Sequence, residues 1–372
     1  MGIYEELGIR RIINGNATLT RLGGSLMPKE VLDAMVEAAG SFVDLVELQR
    51  RVGEEIAKLT QNEAAYVSCG CAAGMVLATA ACITGMDRER RDQLPNLDGL
   101  KNEVIVHGHT RVVYDFAIRQ VGCKLVEIGS TEGTSLDELE SVINDRTVAL
   151  FYFAQSKWDD TVIPIPDAVR ICRERDVPII VDAAAQLPPH TNLWHFTRDL
   201  GADMVLFSGG KGLCGPQASG LMLGRKELIE AAAFNGQPGQ FIGRPMKVGK
   251  EELLGCLAAV RWYLSLNHGE LMNHYNSVVQ FIINAFEEVA GVSAHGKDRY
   301  FDFINVPTVE IEFEEDVIGF ERDDILDQLK QGDPCIELAS LGDRGVVVNP
   351  QTLGNGEEQI IVERLKEILE IS

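Results

Sequence analysis

The sequence predicts an α/β fold: a mainly parallel seven-stranded sheet covered by helices, with a smaller α/β domain toward the C-terminus. From residue 63, short apolar runs alternate with helical stretches, which is typical of parallel strands buried on both faces. The last of these runs follows its predecessor without a helix-length gap, so we expect it to be antiparallel to the others. Beyond residue 251 the pattern changes to a long helical region followed by a smaller unit.

Seven apolar runs predict the strands of the sheet. They are 64–67, 103–106, 124–128, 148–153, 177–181, 204–207 and 220–223. We therefore predict three parts. Residues 1–50 form an N-terminal arm and a helix that Pro28 opens, residues 51–250 form the large sheet domain, and residues 251–372 form a linking helix and the small domain. In the last part we expect one helical region over Glu251–Val289, strands near Thr308–Phe313 and Gly345–Val348, and a closing helix from Gly356.

Composition excludes several classes of protein. The 372 residues are 45% hydrophobic and 24% charged, as in globular proteins. Asp and Glu number 56 against 34 Lys and Arg, a formal net charge of −22, which opposes binding to nucleic acid. No apolar run approaches the ~18 residues of a membrane helix. The first residues show neither a basic region nor an apolar stretch, so we expect a cytoplasmic protein.

Two short patterns invite a metal interpretation. Cys69 and Cys71 form a C-x-C pair, and His107 and His109 form an H-x-H pair. Neither has a matching second pair at the spacing of a metal site. We expect no metal, and we expect the eight cysteines to be reduced thiols.

Small residues follow the first predicted strand and open a helix, in Ser68-Cys69-Gly70-Cys71-Ala72-Ala73-Gly74. Such residues let backbone N–H groups approach an anion, and the helix dipole favours a phosphate there. The segment matches neither G-x-G-x-x-G nor the P-loop. Close packing of helix on sheet would explain the small residues equally well.

An acid and a lysine follow two later strands. Asp182 ends one strand and Lys211 lies among glycines after the next, in Ser208-Gly209-Gly210-Lys211-Gly212. Carboxyl ends of parallel strands are the usual place for a site, although Asp182 would also serve as a helix cap. A lysine for a Schiff base, an acid for a pyridine nitrogen and a helix end for a phosphate are what pyridoxal 5'-phosphate needs.

The segments 182–189 and 201–220 resemble the selenocysteine synthase-like branch of the fold type I pyridoxal phosphate enzymes. The resemblance extends to 18–25 and to Thr352-Leu353, and so spans nearly the whole chain. It implies the fold type I architecture, with the cofactor in the large domain. It also implies a homodimer or a higher homo-oligomer, because active sites of this fold generally lie at a subunit interface.

The resemblance implies a role for each matching residue. Lys211 would be the Schiff-base lysine and Asp182 the partner of the pyridine nitrogen. The phosphate would bind Ser208 and the backbone N–H groups of Gly70, Cys71 and Ala72, and His109 would stack on the ring.

The chain departs from the family where relatives carry C-terminal arginines, roughly at Ala339 and Gln351. The residue that binds the substrate carboxylate is therefore open. The candidates for contact with the substrate are Arg21, Arg111, Gln186, Arg244 and Arg344. Arg344 also fits a simple hairpin turn.

The resemblance implies that the chain would be a lyase. It would remove water and ammonia from a hydroxylated amino acid or an amino-sugar acid such as D-glucosaminate 6-phosphate, giving a 2-oxo acid. Three alternatives stay open: a selenium transferase acting on seryl-tRNA, an aminotransferase or racemase on the same fold, and a non-catalytic dimerising protein. The charge of −22 and the lack of an evident tRNA-binding extension oppose the first, and the presence of both Lys211 and Asp182 opposes the third.

Overall fold

The computed structural model describes residues 2–154, 160–300, 302 and 304–370. The strands of this part are β1 (Ile12–Asn14), β2 (Ala64–Ser68), β3 (Glu103–His107), β4 (Lys124–Ile128), β5 (Thr147–Phe153), β6 (Ile179–Asp182), β7 (Met204–Ser208), β8 (Gly220–Gly224), β9 (Val292–Lys297), β10 (Thr308–Phe313), β11 (Cys335–Glu337), β12 (Ala339–Leu341) and β13 (Gly345–Val348).

Helices connect and cover these strands. They are α1 (Ile3–Glu6), α2 (Lys29–Ala39), α3 (Leu45–Leu59), α4 (Cys71–Thr84), α5 (Arg88–Gln93), α6 (Phe116–Arg119), α7 (Leu136–Val142), α8 (Ile165–Glu174), α9 (Asn192–Trp194), α10 (Lys226–Asn235), α11 (Lys250–Ser265), α12 (His268–Phe286), α13 (Glu315–Ile318), α14 (Arg322–Gln331) and α15 (Glu357–Ile368). Within the described ranges, no helix is long and apolar enough to cross a membrane.

The chain divides into two compact units, and the larger comprises residues 26–265. Its sheet has the strand order β2-β8-β7-β6-β5-β3-β4. β8 is antiparallel to both neighbours, and the other adjacent strands are parallel. This confirms the predicted seven-stranded, mainly parallel sheet and its antiparallel last strand.

The burial of single elements explains why the apolar runs become this sheet. All seven residues of β5 are buried, as expected for a central strand with helices on both faces. α4 is apolar on almost every side and buries eleven of its fourteen residues between its neighbours. α8 instead has one apolar face, which packs inward. These elements hold the carboxyl ends of the strands in fixed positions.

The smaller unit comprises residues 1–25 and 266–372. It contains an antiparallel sheet in the order β12-β13-β10-β9 and a separate parallel pair, β1 with β11. The predicted strands at β10 and β13 and the closing helix α15 are present. β1, β9, β11 and β12 were not predicted, because they are short or expose several of their residues.

The boundaries of the units differ from those predicted. Residues 26–50 and 251–265 belong to the larger unit, and residues 1–25 join the C-terminal one. The reason is packing: β1 pairs with β11, more than 300 residues later, while α2 packs on α11.

The helical region predicted over Glu251–Val289 is two helices, α11 and α12. The break occurs at Asn267, whose side chain accepts hydrogen bonds from the backbone N–H groups of Gly269 and Glu270 and so begins a new helix.

Candidate active site

The strand ends of the larger unit bring the predicted polar residues to one edge of the sheet. Ser68, at the end of β2, and Ser208, at the end of β7, both pair with Gly220, at the start of the antiparallel β8. These three residues therefore form one row across three strands. Asp182 ends β6 and pairs with Leu206, two residues before Ser208.

The N-terminus of α4 lies directly against this row. Gly70 caps the helix with a φ of 141°, and the N–H of Gly74 bonds to its carbonyl at 3.0 Å. The N–H groups of the first helical turn, Cys71 to Ala73, have no acceptor inside the helix. A Cβ on Gly220 would lie 2.4 Å from the carbonyl carbon of Gly70, so only glycine allows this approach. The result is a set of open amides suited to an anion.

Asp182 is half-buried at this edge. Its Oδ1 accepts the N–H of Ala184 at 3.0 Å and lies 3.3 Å from Sγ of Cys71. Burial raises the pKa of the Asp182 carboxyl, and these two hydrogen bonds and the positive charge of Lys211 oppose that rise. An acid at this depth suits a partner that carries a proton or a positive charge.

Lys211 lies on the turn between β7 and β8. The turn is closed by hydrogen bonds from Gly209 N–H to the carbonyl of Ser219 at 2.9 Å and from Gly215 N–H to the carbonyl of Gly209 at 2.8 Å. A Cβ on Gly210 would lie 2.5 Å from Cα of Gln217. The turn therefore packs too tightly for larger residues beside the lysine.

The amino group of Lys211 forms no hydrogen bond or ion pair with any residue the structure describes. Its charge nevertheless acts on Asp182 and Cys71, lowering the pKa of each against the effect of burial. Lysine and acid are thus near neighbours without forming a salt bridge, as expected if a bound group separates them.

His109 follows β3, and its Nε2 lies 2.6 Å from the hydroxyl of Thr161. This contact fixes the half-buried ring. His107, the other histidine of the H-x-H pattern, is buried in the core, where it meets Tyr152 edge-on at 5.4 Å. Within the described residues no group of three or more His, Cys, Asp or Glu side chains is arranged to hold a metal ion.

Ser208 and Gln186 belong to the same edge. The backbone N–H of Ser208 bonds to the carbonyl of Ala184 at 3.3 Å, so Ala184 links Ser208 to Asp182. Gln186 is buried, and its backbone carbonyl accepts a hydrogen bond from Asn192 at 2.6 Å. Gln186 follows Asp182 by four residues, and its contact with the substrate stays a prediction.

Two predicted substrate arginines belong to the larger unit and differ in availability. Arg111 is already paired with Asp115 at 2.7 Å and with Glu127 at 2.5 Å. Arg244 is exposed and forms no ion pair within the described residues. Of these two, Arg244 is the more available for a substrate anion.

The other two arginines belong to the smaller unit. Arg21 forms an ion pair with Glu337, whose side chain is only 9% exposed. Arg344 is exposed in the turn between β12 and β13, as the hairpin interpretation expected, and its carbonyl accepts the N–H of Phe313 at 2.8 Å.

The sequence did not predict one contact of the site, the thiol of Cys71 on Asp182. Only the backbone N–H of Cys71 entered the prediction. The signal was available in principle, because Asp182 ends a parallel strand and Cys71 begins a helix after another strand of the same sheet. Elements that meet at the same sheet edge bring such side chains together.

Comparison with known proteins agrees with this geometry. The family model described as "SelA: L-seryl-tRNA selenium transferase" matches residues 12–279. D-glucosaminate-6-phosphate ammonia lyase of Salmonella typhimurium is 33% identical over 99% of this chain and 98% of its own length. The 5'-C-glycyluridine monooxygenase-decarboxylase of a Streptomyces species is 31% identical over 98% and 92%. The L-seryl-tRNA(Sec) selenium transferase of Nitratidesulfovibrio vulgaris is 26% identical over 71% of this chain and 58% of its own.

Solved structures give the same result. A structure of D-glucosaminate-6-phosphate ammonia-lyase superposes with a TM-score of 0.83 and 31% identity, covering 100% of this chain and 98% of that one. A cysteine desulfurase from Thermococcus onnurineus, at a TM-score of 0.60 and 16% identity, shares the fold alone. The chain therefore belongs to the SelA family of enzymes and has the fold of the fold type I pyridoxal phosphate enzymes.

Proposed function

We propose that this protein is a pyridoxal 5'-phosphate-dependent lyase. It would act on a hydroxylated amino acid or an amino-sugar acid, such as D-glucosaminate 6-phosphate, and release a 2-oxo acid and ammonia. The observation that carries the proposal is the 33% identity to an ammonia lyase along 99% of the chain. The arrangement of Lys211, Asp182 and the N-terminus of α4 supports it independently.

The residues present fit the cofactor. The open amides of Cys71 and Ala72, beside Gly70 and Ser208, would hold the phosphate. We call this set of groups the phosphate cradle. Gly220 leaves room for it, because a Cβ there would press against the backbone of Gly70 and Cys71. Asp182 would pair with the pyridine nitrogen. His109, fixed by Thr161, would lie against the ring. When bound, the cofactor supplies an electron-withdrawing ring that accepts the electron pair left at Cα of the substrate.

The chain's own residues then move the protons. Lys211 Nζ, which has no partner among the described residues, is the base that would take the proton from Cα of the substrate. Asp182, ionised beside a positively charged partner, keeps the proton on the pyridine nitrogen. The substrate loses the Cα proton and the Cβ hydroxyl as water, and hydrolysis of the resulting enamine gives ammonia and the 2-oxo acid. The overall oxidation level is unchanged, so no second substrate is needed.

The second candidate function is a monooxygenase reaction, because the monooxygenase-decarboxylase relative is similar over nearly the same length as the ammonia lyase. A monooxygenase needs O₂, whereas the proposed elimination does not. The selenium transferase alternative needs a charged tRNA, which a protein of net charge −22 would bind weakly at physiological salt.

The test is a panel of hydroxy-amino acids and amino-sugar acids, with and without a phosphate, assayed without O₂, tRNA or added keto acid. We expect ammonia and a 2-oxo acid in equal amounts from one member of the panel. Ammonia release that requires O₂ would favour the monooxygenase-like alternative. A cytoplasmic location and a homo-oligomeric state belong to the same proposal.

A further inference from the structure

Cys71 contacts the carboxylate of Asp182, which in the proposed function pairs with the pyridine nitrogen of the cofactor. Its Sγ lies 3.3 Å from Oδ1 of Asp182, and the same oxygen accepts the N–H of Ala184 at 3.0 Å. Within the described residues, Oδ2 of Asp182 accepts no hydrogen bond. Two donors, one at the start of α4 and one in the turn after β6, thus hold one oxygen and leave the other available.

The thiol is the donor in this contact. Burial, and next the charge of Asp182, raise the pKa of Cys71 well above its ordinary value of 9.0, so the sulfur keeps its proton at neutral pH. A protonated thiol donates one weak hydrogen bond and adds no second negative charge. Cys71 is also the first residue of α4, so the helix that offers its amides to an anion fixes the sulfur as well.

We propose that Cys71 is a positioning residue, which holds Asp182 so that Oδ2 faces the pyridine nitrogen of the cofactor. This inference rests on the proposed function. Cys71 acts through Asp182 and needs no contact with the reacting atoms. The C-x-C pattern of the sequence thereby divides into two roles: Cys71 is buried against the acid, and Cys69 is half-buried and bonded to no other cysteine.

The first experiment uses the full chain without cofactor. The carboxyl pKa of Asp182 is measured by carbon-13 NMR and assigned with Asp182→Asn. The groups that act on this carboxyl are Cys71, the amide of Ala184 and Lys211. Cys71→Ala removes one of the hydrogen bonds that lower the pKa, so we expect it to rise. Cys71→Ser keeps a donor and should restore most of the wild-type value, and the control Cys69→Ala should change nothing.

The second experiment uses the enzyme with its cofactor. Cys71→Ala should lower kcat by about tenfold with KM changed less than about twofold, as expected for the loss of one hydrogen bond to a charged group. It should also shift the pH titration of the cofactor's visible absorption band. Cys71→Ser should recover both. Thermal unfolding of each variant separates these effects from a loss of fold.

An unchanged Asp182 pKa in Cys71→Ala would overturn the inference. Equal losses of kcat in Cys71→Ala and Cys71→Ser would overturn it as well. A wild-type protein that binds no pyridoxal phosphate would instead overturn the proposed function, while the cofactor-free titration still decides whether the thiol holds the acid. The two failures are therefore distinguishable.

Discussion

The positions of Lys211 and Asp182 at one edge of the sheet could be predicted from the sequence, because each follows an apolar run that becomes a strand. The carboxyl ends of parallel strands share one edge, so two residues 29 positions apart in the chain come close together. The same argument brings Cys71 to this edge, but it does not show that the thiol contacts Asp182. Its contact with Asp182 depends on how far α4 approaches β8, which is set by Gly220 packing on Gly70.

The substrate arginines show the opposite case. Arg111 and Arg21 each have a carboxylate partner that is distant in sequence, at Glu127 and Glu337 respectively. Arg111 also pairs with Asp115 at i,i+4, a spacing visible in the sequence, but no local pattern reveals the pair of Arg21 with Glu337.

The first prediction concerns the lysine. Treatment of the cofactor-loaded protein with borohydride should fix the pyridoxyl group to Lys211, because this half-buried residue lies in a glycine-rich turn and its amine forms no bond in the described residues. Lys226, which is 70% exposed and pairs with Glu230, is the matched control. Peptide mapping by mass spectrometry reads the result. A label on Lys226 would show that the site is assigned wrongly.

The second prediction concerns Asp182→Asn. Turnover should fall severely, because an amide does not hold a proton on the pyridine nitrogen. The cofactor-free variant should nevertheless be the more stable one at neutral pH. Burial raises the pKa of Asp182 above its ordinary 3.8, so the ionised form costs stability in the folded state.

The difference in stability between Asp182→Asn and wild type should depend on pH. Below pH 3.8 the acid is protonated in both the folded and the unfolded state, and the variant should match wild type. Between pH 3.8 and the raised pKa, Asp182 lowers the stability of wild type but not of the variant, so the difference in melting temperature should grow there and level off above it. A variant with full turnover would mean that the acid only caps the following turn.

At the scale of elements, the seven predicted runs all became strands of one sheet, with ends shifted by no more than two residues. Their continuous apolar character follows directly from burial on both faces. The break between α11 and α12 was missed because the stretch around Asn267 interrupts the helical pattern only briefly, and a side-chain cap rather than a proline or glycine makes the break.

The close packing of β8 on α4 gives the third prediction. In Gly220→Ala the new Cβ would lie 2.4 Å from the carbonyl carbon of Gly70 and 2.7 Å from the N of Cys71, both of them backbone atoms. We expect a loss of about 1–3 kcal/mol in the free energy of unfolding and weaker binding of pyridoxal phosphate.

The matched control is Gly40→Ala, where the nearest atom, the carbonyl oxygen of Glu37, lies 3.6 Å away. Urea unfolding and a cofactor titration measure both effects. Equal stability and equal cofactor affinity in the two variants would mean that the close approach of β8 to α4 does not shape the phosphate cradle.

At the scale of the whole molecule, the sequence predicted three parts, whereas the chain divides into two compact units. The pairing of β1 with β11 assigns residues 1–25 to the C-terminal unit, and a pairing between residues more than 300 positions apart leaves no periodic signal. The packing of α2 on α11 is a similar long-range effect within the larger unit.

The fourth prediction is a homodimer or a larger homo-oligomer. α2, the loop after it and the start of α3 expose an apolar patch of Leu32, Val36, Phe42, Val43 and Val46, and Val36 is 74% exposed. Light scattering should give at least twice the mass of one chain, because a patch of this kind commonly marks an interface. Val36→Glu combined with Phe42→Glu should weaken the assembly, and Val317→Glu, at an exposed valine of the other unit, should not. A stable, active monomer would contradict this.

The fifth prediction separates a lyase from an aminotransferase. An eliminating enzyme returns its cofactor unchanged after each turnover, because the amino group leaves as ammonia. An aminotransferase retains the amino group and stops until a 2-oxo acid arrives. We therefore expect linear ammonia release over many turnovers without an added keto acid, with the visible absorption of the cofactor retained. Release that halts after one equivalent, with conversion of the spectrum to that of pyridoxamine phosphate, would identify an aminotransferase. The cofactor-loaded Asp182→Asn variant is the control, since slow turnover there should leave the spectrum intact.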